Sequence, residues 1–376
     1  MYLAISYIIL LLIVIYMISL LLYFVGNFLS VKNKINEESI PISIIVAVKN
    51  GEKSLPILLN DLEHQNYKGM IEYLIVDDES TDNTQKIIKQ FQNKNNKFIY
   101  ISSKEGNQQL FFKKRALDAG IKNAKFDILL FTDVDCRLKP SWAKSMAQSF
   151  HEDVDYVIGF SEVPYYNNII TWFQRIDFLM LLTAARGICN LKIPFASTGQ
   201  NQAYRKKLYD EIGFLSLSNS IQGDDSLFLQ LCIKNNINII FNDNPKSFVT
   251  SRIETKFWNL IKQRIRWSGD AKIMWKFNKI FFSIIVATFS TNLLIMILTY
   301  ESIFLKSTYT SYLQYILFIK FILELLIYIV GALKLKFKLN LPLFLYWFIL
   351  EIPYVICMGI GSIFVKYISW RGQKTI

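Results

Sequence analysis

Two carboxylates one residue apart, in Phe131-Thr132-Asp133-Val134-Asp135-Cys136, follow the apolar run Phe126-Asp127-Ile128-Leu129-Leu130. The run reads as a buried parallel strand. Side chains alternate along a strand, so Asp133 and Asp135 would point the same way. Such a pair suits a hard divalent cation, Mg2+ or Mn2+, which prefers oxygen ligands and could be held against a diphosphate. A solvated turn after a strand is the competing reading of so short a pattern.

Three more groups carry chemistry. In Asp77-Asp78-Glu79-Ser80-Thr81-Asp82-Asn83-Thr84 a strand end runs into a helix start. Ser80, Thr81 or Asp82 could cap that helix, and Asp77 or Asp78 could accept hydrogen bonds from a nucleotide base or ribose. Lys113-Lys114-Arg115 reads as a solvated helix face, or beside a diphosphate one of the three could serve as a charge partner. Asp224-Asp225 precedes Leu227-Phe228-Leu229. Acidic residues favour such a helix start. Adjacent carboxylates also raise each other's proton affinity, which suits one of them to take a proton from a hydroxyl.

These residues need elements to position them. Strand character at 42–48, 72–76 and 98–101 alternates with helical character at 54–65, 83–92 and 108–123. That alternation implies an α/β unit, a mostly parallel sheet covered on both faces. Ligands of such sheets bind at the carboxyl ends of the strands, where both acidic clusters fall. Residues 168–190 read as an apolar helix and 199–205 as a turn-like segment.

The chain of 376 residues is 52% hydrophobic, with a mean hydropathy of +0.27, and its apolar residues concentrate at the two ends. Residues 2–30 carry no charge, enough to span the ~30 Å of a bilayer's hydrocarbon. Lys32 and Lys34 follow, which puts the next segment in the cytoplasm by the positive-inside rule. Residues 254–277, with Phe257, Trp258, Trp267 and Trp275 among lysines and arginines, read as an amphipathic helix at the bilayer interface. Residues 281–304 and 312–333 are long enough to span, with Lys320 and Glu324 paired at i,i+4 inside the second. Residues 341–366 are divided by Pro353 and are expected to form a re-entrant or interfacial hairpin. The resulting division is 1–31 (spanning helix), 32–253 (catalytic domain), 254–280 (interface helix) and 281–376 (membrane region and tail).

The net charge of +12 comes without a nucleic-acid motif. Much of it flanks apolar segments, so the expected partner is a membrane surface rather than nucleic acid. The four cysteines are isolated, which argues against a disulfide framework or a zinc site and fits a reducing compartment.

In this order and spacing the elements resemble a family 2 glycosyltransferase of the GT-A fold, in its membrane-bound branch. Ile45-Val46-Ala47-Val48-Lys49-Asn50-Gly51-Glu52 resembles the opening strand and loop, and Asp77-Asp78-x-Ser80-x-Asp82-x-Thr84 the nucleotide-contacting turn. Thr132-Asp133-Val134-Asp135 resembles the metal triplet. Gly223-Asp224-Asp225 stands where the family has Thr-Glu-Asp. Gln263-Arg264-Ile265-Arg266-Trp267 resembles the Gln-x-x-Arg-Trp signature of ceramide glucosyltransferase-like and polysaccharide synthase members. Ser369-Trp370-Arg371-Gly372-Gln373 resembles a Trp-Lys/Arg-Gly-Arg tail, with Gln373 in place of arginine.

The resemblance implies inverting transfer of a sugar from a nucleoside-diphosphate donor, UDP by default, to a hydroxyl of a lipid or lipid-linked glycan at the cytoplasmic face of a bacterial-type plasma membrane. It implies that Val48, Asn50, Asp77, Asp78, Lys114 and Asp133 serve the donor, and that Asp135 with Asp133 holds Mg2+ or Mn2+. Asp225, assisted by Asp224, would be the base. Gln263, Arg264, Arg266 and Trp267 would line the acceptor and diphosphate side. A processive polysaccharide synthase is the nearest alternative, and a non-catalytic membrane scaffold or transporter with a nucleotide-binding domain the next. A nucleotidyltransferase would leave the Gln-x-x-Arg-Trp element without a purpose.

Overall fold

The computed structural model describes residues 2–29, 38–218, 223–305, 310–367, 369–370 and 373–374. Lys32 and Lys34, as well as Arg371 and Gly372 of the tail, lie outside them. The chain divides into two compact units.

The first comprises Val31–Pro164 and Lys192–Arg252 and is built on a seven-stranded sheet. Its strands are β1 (Ile42–Val48), β2 (Ile71–Asp77), β3 (Phe98–Ser102), β4 (Ile128–Phe131), β5 (Tyr156–Gly159), β6 (Gln202–Arg205) and β7 (Ile239–Asn242). They are ordered β3-β2-β1-β4-β6-β5-β7. Every neighbouring pair is parallel except the two that involve β6. Both faces of β1 are covered, as its largely β-branched run requires. Ile42, Ile44, Val46 and Val48 share one core with Leu55, Leu58, Leu59 and Leu62 of the helix Leu55–Glu63. Ile45, on the other face, meets the helix Lys113–Asn123 at Gly120, where an added Cβ would stand 2.6 Å from Ile45 Cγ2. Each such buried aliphatic side chain contributes about 1.5–3 kcal/mol.

Several expectations need correction. The segment 199–205 is not merely a turn: Gln202–Arg205 is β6, hydrogen-bonded on both edges. The strand before the Asp-x-Asp pair ends at Phe131. Asp133 and Asp135 therefore sit in a turn, closed by the Cys136 N–H donating to the Asp133 carbonyl at 3.1 Å, and strand alternation does not orient them. The helix expected over 108–123 begins at Lys113, because Phe112 adopts φ +56°, ψ −145° and cannot continue a helix.

The second unit comprises Met1–Ser30, Tyr165–Leu191 and Ile253–Ile376. The helix Ile169–Asn190, expected inside the catalytic domain, belongs to it. Among the described residues four helices are long and apolar enough to cross a membrane: Ala4–Gly26, Lys279–Phe304, Thr310–Lys334 and Leu341–Val365 by the span that meets that criterion. The expected hairpin is absent. Leu341–Gly361 is one helix, capped by Asn340 and running through Pro353. A proline removes one hydrogen bond and kinks a helix, yet packing against neighbouring helices holds such kinks together in apolar segments. The basic-aromatic stretch is two helices, Phe257–Ser268 and Ala271–Phe277.

Within this unit the first helix crosses Ile169–Asn190 at Gly26 and Gly187, where a Cβ on Gly26 would fall 2.1 Å from the Gly187 carbonyl oxygen. Only glycine permits that approach. Lys320 and Glu324 pair as the spacing predicted, at 2.6 Å, and the same ammonium lies 2.8 Å from Glu351. Tyr16 of the first helix donates to Glu324 at 2.6 Å. Lys320 is fully buried, so this cluster ties three helices together through charges that have no solvent to turn to.

Candidate active site

Strands β2, β1 and β4 are adjacent and parallel, so their carboxyl ends open on one edge of the sheet. Strand β6 runs the other way, with Gln202 beside Phe131. The residues leading into β6 therefore arrive at that same edge. This single antiparallel strand brings Gly199 to Asp225: the Gly199 N–H donates to Asp225 Oδ2 at 3.1 Å.

At the β1–β2 end two loops are laced together. The Asn50 N–H donates to Ser80 Oγ at 2.8 Å, and Asn50 Oδ1 accepts from the Thr81 N–H at 2.8 Å. Asp82 accepts from the Glu52 N–H at 3.0 Å and from Thr84. Asn50 and Glu79 both hold positive φ, a strained backbone that clusters at functional loops. Asp77 accepts from the Ser80 N–H, and Asp78 donates its own N–H to the Val48 carbonyl. Both carboxylates are buried. Asp78 lies 3.6 Å from Arg115 and 4.0 Å from Lys49, while Arg115 also holds Glu79 at 2.7 Å. The cap position of the helix Thr84–Lys94 is Asn83, which makes no side-chain cap bond, while Asp82 accepts from the Thr84 N–H at the helix start. Asp77 and Asp78 are left at the rim of the edge.

The second half of the site centres on a residue whose neighbour the sequence singled out. Lys113 Nζ lies 2.9 Å from Asp133 Oδ1 and 2.8 Å from Asp224 Oδ2. Burial works against its ammonium, but the two carboxylates outweigh it and hold Lys113 protonated well beyond an ordinary lysine. Lys114 is buried, and its charge also acts on Asp224. Successive helical residues point about 100° apart, so the Lys-Lys pair alone could not say which one reaches the carboxylates. The signal that marks Lys113 is the strained Phe112 before it, a feature of coordinates and not of sequence.

Asp224 and Asp225 are split by this environment. Burial would raise Asp224, but Lys113 holds it below the usual carboxylate range. Asp225 is pushed up to about 6 by burial and by the Asp224 charge. Its Oδ1 accepts from the Ser226 N–H at 2.5 Å at the start of the helix Ser226–Ile233. Asp225 is thus the helix cap and, of the two carboxylates, the one tuned toward neutral pH.

Among the described residues no group of three or more His, Cys, Asp or Glu side chains could hold a metal ion. A cation shared between one or two carboxylates, a diphosphate and water needs no such cage, which is how Mg2+ is commonly bound. Asp133 fits that use, since its side chain is 30% exposed and already faces one cation, Lys113. The edge also carries Asp77, Asp78, Glu79, Asp224 and Asp225, so an incoming diphosphate requires added positive charge. Asp133 is thus a partly exposed carboxylate at this edge to which a divalent ion could bind.

Of the remaining residues expected at the site, Gln263, Arg264, Arg266 and Trp267 lie on the helix Phe257–Ser268 of the other unit. Arg264 is buried there. Its Nη2 stands 3.0 Å from Asp177 Oδ2, and its guanidinium lies 4.3 Å from the centroid of the Trp267 ring.

A mostly parallel sheet with its acidic edge and flanking helices is the GT-A architecture. The same fold occurs in a mannosyltransferase from Pyrobaculum calidifontis, solved with GDP-Man and Mn2+, at a TM-score of 0.55 and 14% identity over 88% of this chain and 98% of that one. Residues 43–213 match the model of the family Glycosyl transferase family 2. A Sulfolobus acidocaldarius protein named "Probable glycosyltransferase" is 24% identical over 65% of this chain and 54% of its own length. A Methanococcus voltae enzyme is 26% identical over 68% of this chain and 83% of its own length. Its name is dolichyl N-acetyl-alpha-D-glucosaminyl phosphate 3-beta-D-2,3-diacetamido-2,3-dideoxy-beta-D-glucuronosyltransferase. The chain spans little more than half the length of some curated relatives, 58% and 54% in two cases.

Proposed function

We propose that this protein is an inverting glycosyltransferase. It moves a sugar from a nucleoside-diphosphate donor, a UDP-sugar by default, to a hydroxyl of a lipid or lipid-linked glycan at the cytoplasmic face of a membrane. The observation that carries this reading is the split pair at the strand-end edge: Asp224 neutralised by Lys113, Asp225 raised to about 6 and held by two backbone N–H groups.

Asp225 takes the proton of the acceptor hydroxyl as its oxygen attacks the anomeric carbon from the face opposite the leaving diphosphate, which inverts the configuration. Asp77, Asp78 and the Val48–Asn50 loop seat the nucleotide, and Lys113 and Lys114 add positive charge beside the diphosphate. A divalent cation held by Asp135 and Asp133 would neutralise charge on the leaving group. Gln263, Arg266 and Trp267 are assigned to the acceptor and diphosphate side. Arg264 pairs with Asp177 within its own unit and anchors the helix that carries them. The lipid-linked acceptor draws support from the name of the Methanococcus voltae relative and from the four apolar helices.

The test uses the full chain in lipid nanodiscs with radiolabelled nucleotide-sugars and a lipid extract, with and without chelator. Label passing into the organic phase only when Mg2+ or Mn2+ is present supports the reading. Label in long water-soluble polymer would instead indicate a synthase. Tight nucleotide-sugar binding with no transfer to any acceptor would overturn the enzyme reading in favour of a binder.

A further inference from the structure

A buried polar network behind the acidic pair belongs to none of the roles assigned so far. Gln202, the first residue of β6, is 1% exposed. Its Nε2 donates to the main-chain carbonyl of Asp224 at 3.2 Å. Its Oε1 accepts from Ser197 Oγ at 3.0 Å and from the Tyr156 hydroxyl. Tyr156 is fully buried on β5, and its hydroxyl also lies 3.2 Å from Ser197 Oγ. Ser197 and Ser226 form a reciprocal pair: the Ser197 N–H donates to Ser226 Oγ at 3.1 Å, and Ser226 Oγ donates to the Ser197 carbonyl at 3.0 Å.

Two chain segments far apart in sequence are thereby joined on both sides of Asp225, at Asp224 and at Ser226. Every amide atom of Gln202 named here is engaged by a partner that is itself buried, so the amide has one orientation. The same two segments meet a third time where the Gly199 N–H reaches the Asp225 carboxylate. We infer that Gln202, oriented by Tyr156 and Ser197, is a positioning residue that fixes the main chain at Asp224 and so aims the Asp225 carboxylate at the acceptor hydroxyl. The inference rests on the assignment of Asp225 as base. Gln202 touches no substrate. A supporting residue of this kind sets geometry, and losing it typically costs 10–100-fold in activity.

The experiment compares Gln202→Met, which keeps length and volume but neither accepts nor donates, with Tyr156→Phe and Ser197→Ala, each of which removes one of the two donors to Gln202 Oε1. Each is made in the full chain and assayed per folded molecule in nanodiscs. Gln202→Met is expected to lower kcat about 10–100-fold, with the affinity for UDP and Mn2+ within about two-fold of wild type, and the other two variants to lower kcat by less. The acid limb of the kcat profile is expected to move to lower pH in Gln202→Met, because a loosened Asp225 gains water and loses part of the burial that raises it.

Wild-type kcat with an unmoved acid limb in folded Gln202→Met would overturn the inference. If that variant does not fold, the same result in both Tyr156→Phe and Ser197→Ala overturns it. Failure of the base assignment is separately visible, because Asp225→Asn would then keep its turnover. An inactive Asp225→Asn alongside a fully active Gln202→Met rejects only the positioning role.

Discussion

Replacing Asp225 with asparagine should make the protein more stable near pH 8 and inactive. The carboxyl is raised from 3.8 to about 6 by burial and by Asp224. Between those values the native state binds a proton that the unfolded chain has released, so stability falls as pH rises through this window and stays reduced above it. About two units at ~1.4 kcal/mol each set an upper bound of roughly 3 kcal/mol. Partial exposure of the side chain and screening cut that to about 1–2 kcal/mol. Asparagine removes the charge but can accept only one of the two N–H groups from Gly199 and Ser226, which returns about 1 kcal/mol. The net gain near pH 8 is therefore up to about 1 kcal/mol, or a few degrees in Tm. At pH 4, where the wild-type carboxyl is protonated, the gain should vanish or reverse. Without its base the variant should lose about 10²–10⁴-fold in kcat. Thermal unfolding at both pH values, paired with label transfer from the nucleotide-sugar, measures both effects. A Tm gain of equal size at pH 4 and pH 8 refutes the electrostatic argument, and turnover within ten-fold of wild type refutes the base.

Asp135→Ala should weaken nucleotide-sugar binding about 10–100-fold in the presence of Mg2+ or Mn2+ and little in chelator; titration calorimetry under both conditions decides it, and equal affinities in the wild type with and without the ion would remove the metal role. Lys113→Met deletes a positive charge that lowers Asp225 and pairs with Asp224, so the acid limb of kcat/KM should move to higher pH while donor affinity falls. Lys320→Met leaves Glu324 and Glu351 facing each other without their cation and should destabilise the apolar unit by about 3–5 kcal/mol. Adding Glu351→Leu should restore much of that loss, as read from the Tm in detergent.

The legible parts of the fold were those whose signal is local. The runs at Ile42–Val48 and Ile71–Asp77 are largely apolar on both faces and long enough to declare buried strands, and the acidic end of the second, Asp77-Asp78, follows directly. Tyr156–Gly159 and Ile239–Asn242 are not legible as strands, because so short an apolar run does not distinguish a strand from a piece of buried helix. Gln202–Arg205 looked like a turn because its residues are polar. Gln202, Ala203 and Tyr204 are buried all the same, Gln202 finding its partners on Tyr156, Ser197 and Asp224. Pro353 suggested a break that tertiary packing overrode.

Composition and order along the chain determined that strand ends would carry carboxylates, that three segments would be long and apolar enough to cross a membrane, and that Asp224-Asp225 would stand at a helix start. These depend on which residues are neighbours in sequence, and propensity and hydrophobicity act at that range. The tertiary structure alone decided that Lys113 rather than Lys114 joins Asp133 to Asp224, that Gly199 holds Asp225, and that the two aspartates differ in proton affinity. Hydrogen bonds and ion pairs form only within about 3–4 Å, and the antiparallel path of β6 is what closes that distance between residues remote in the chain.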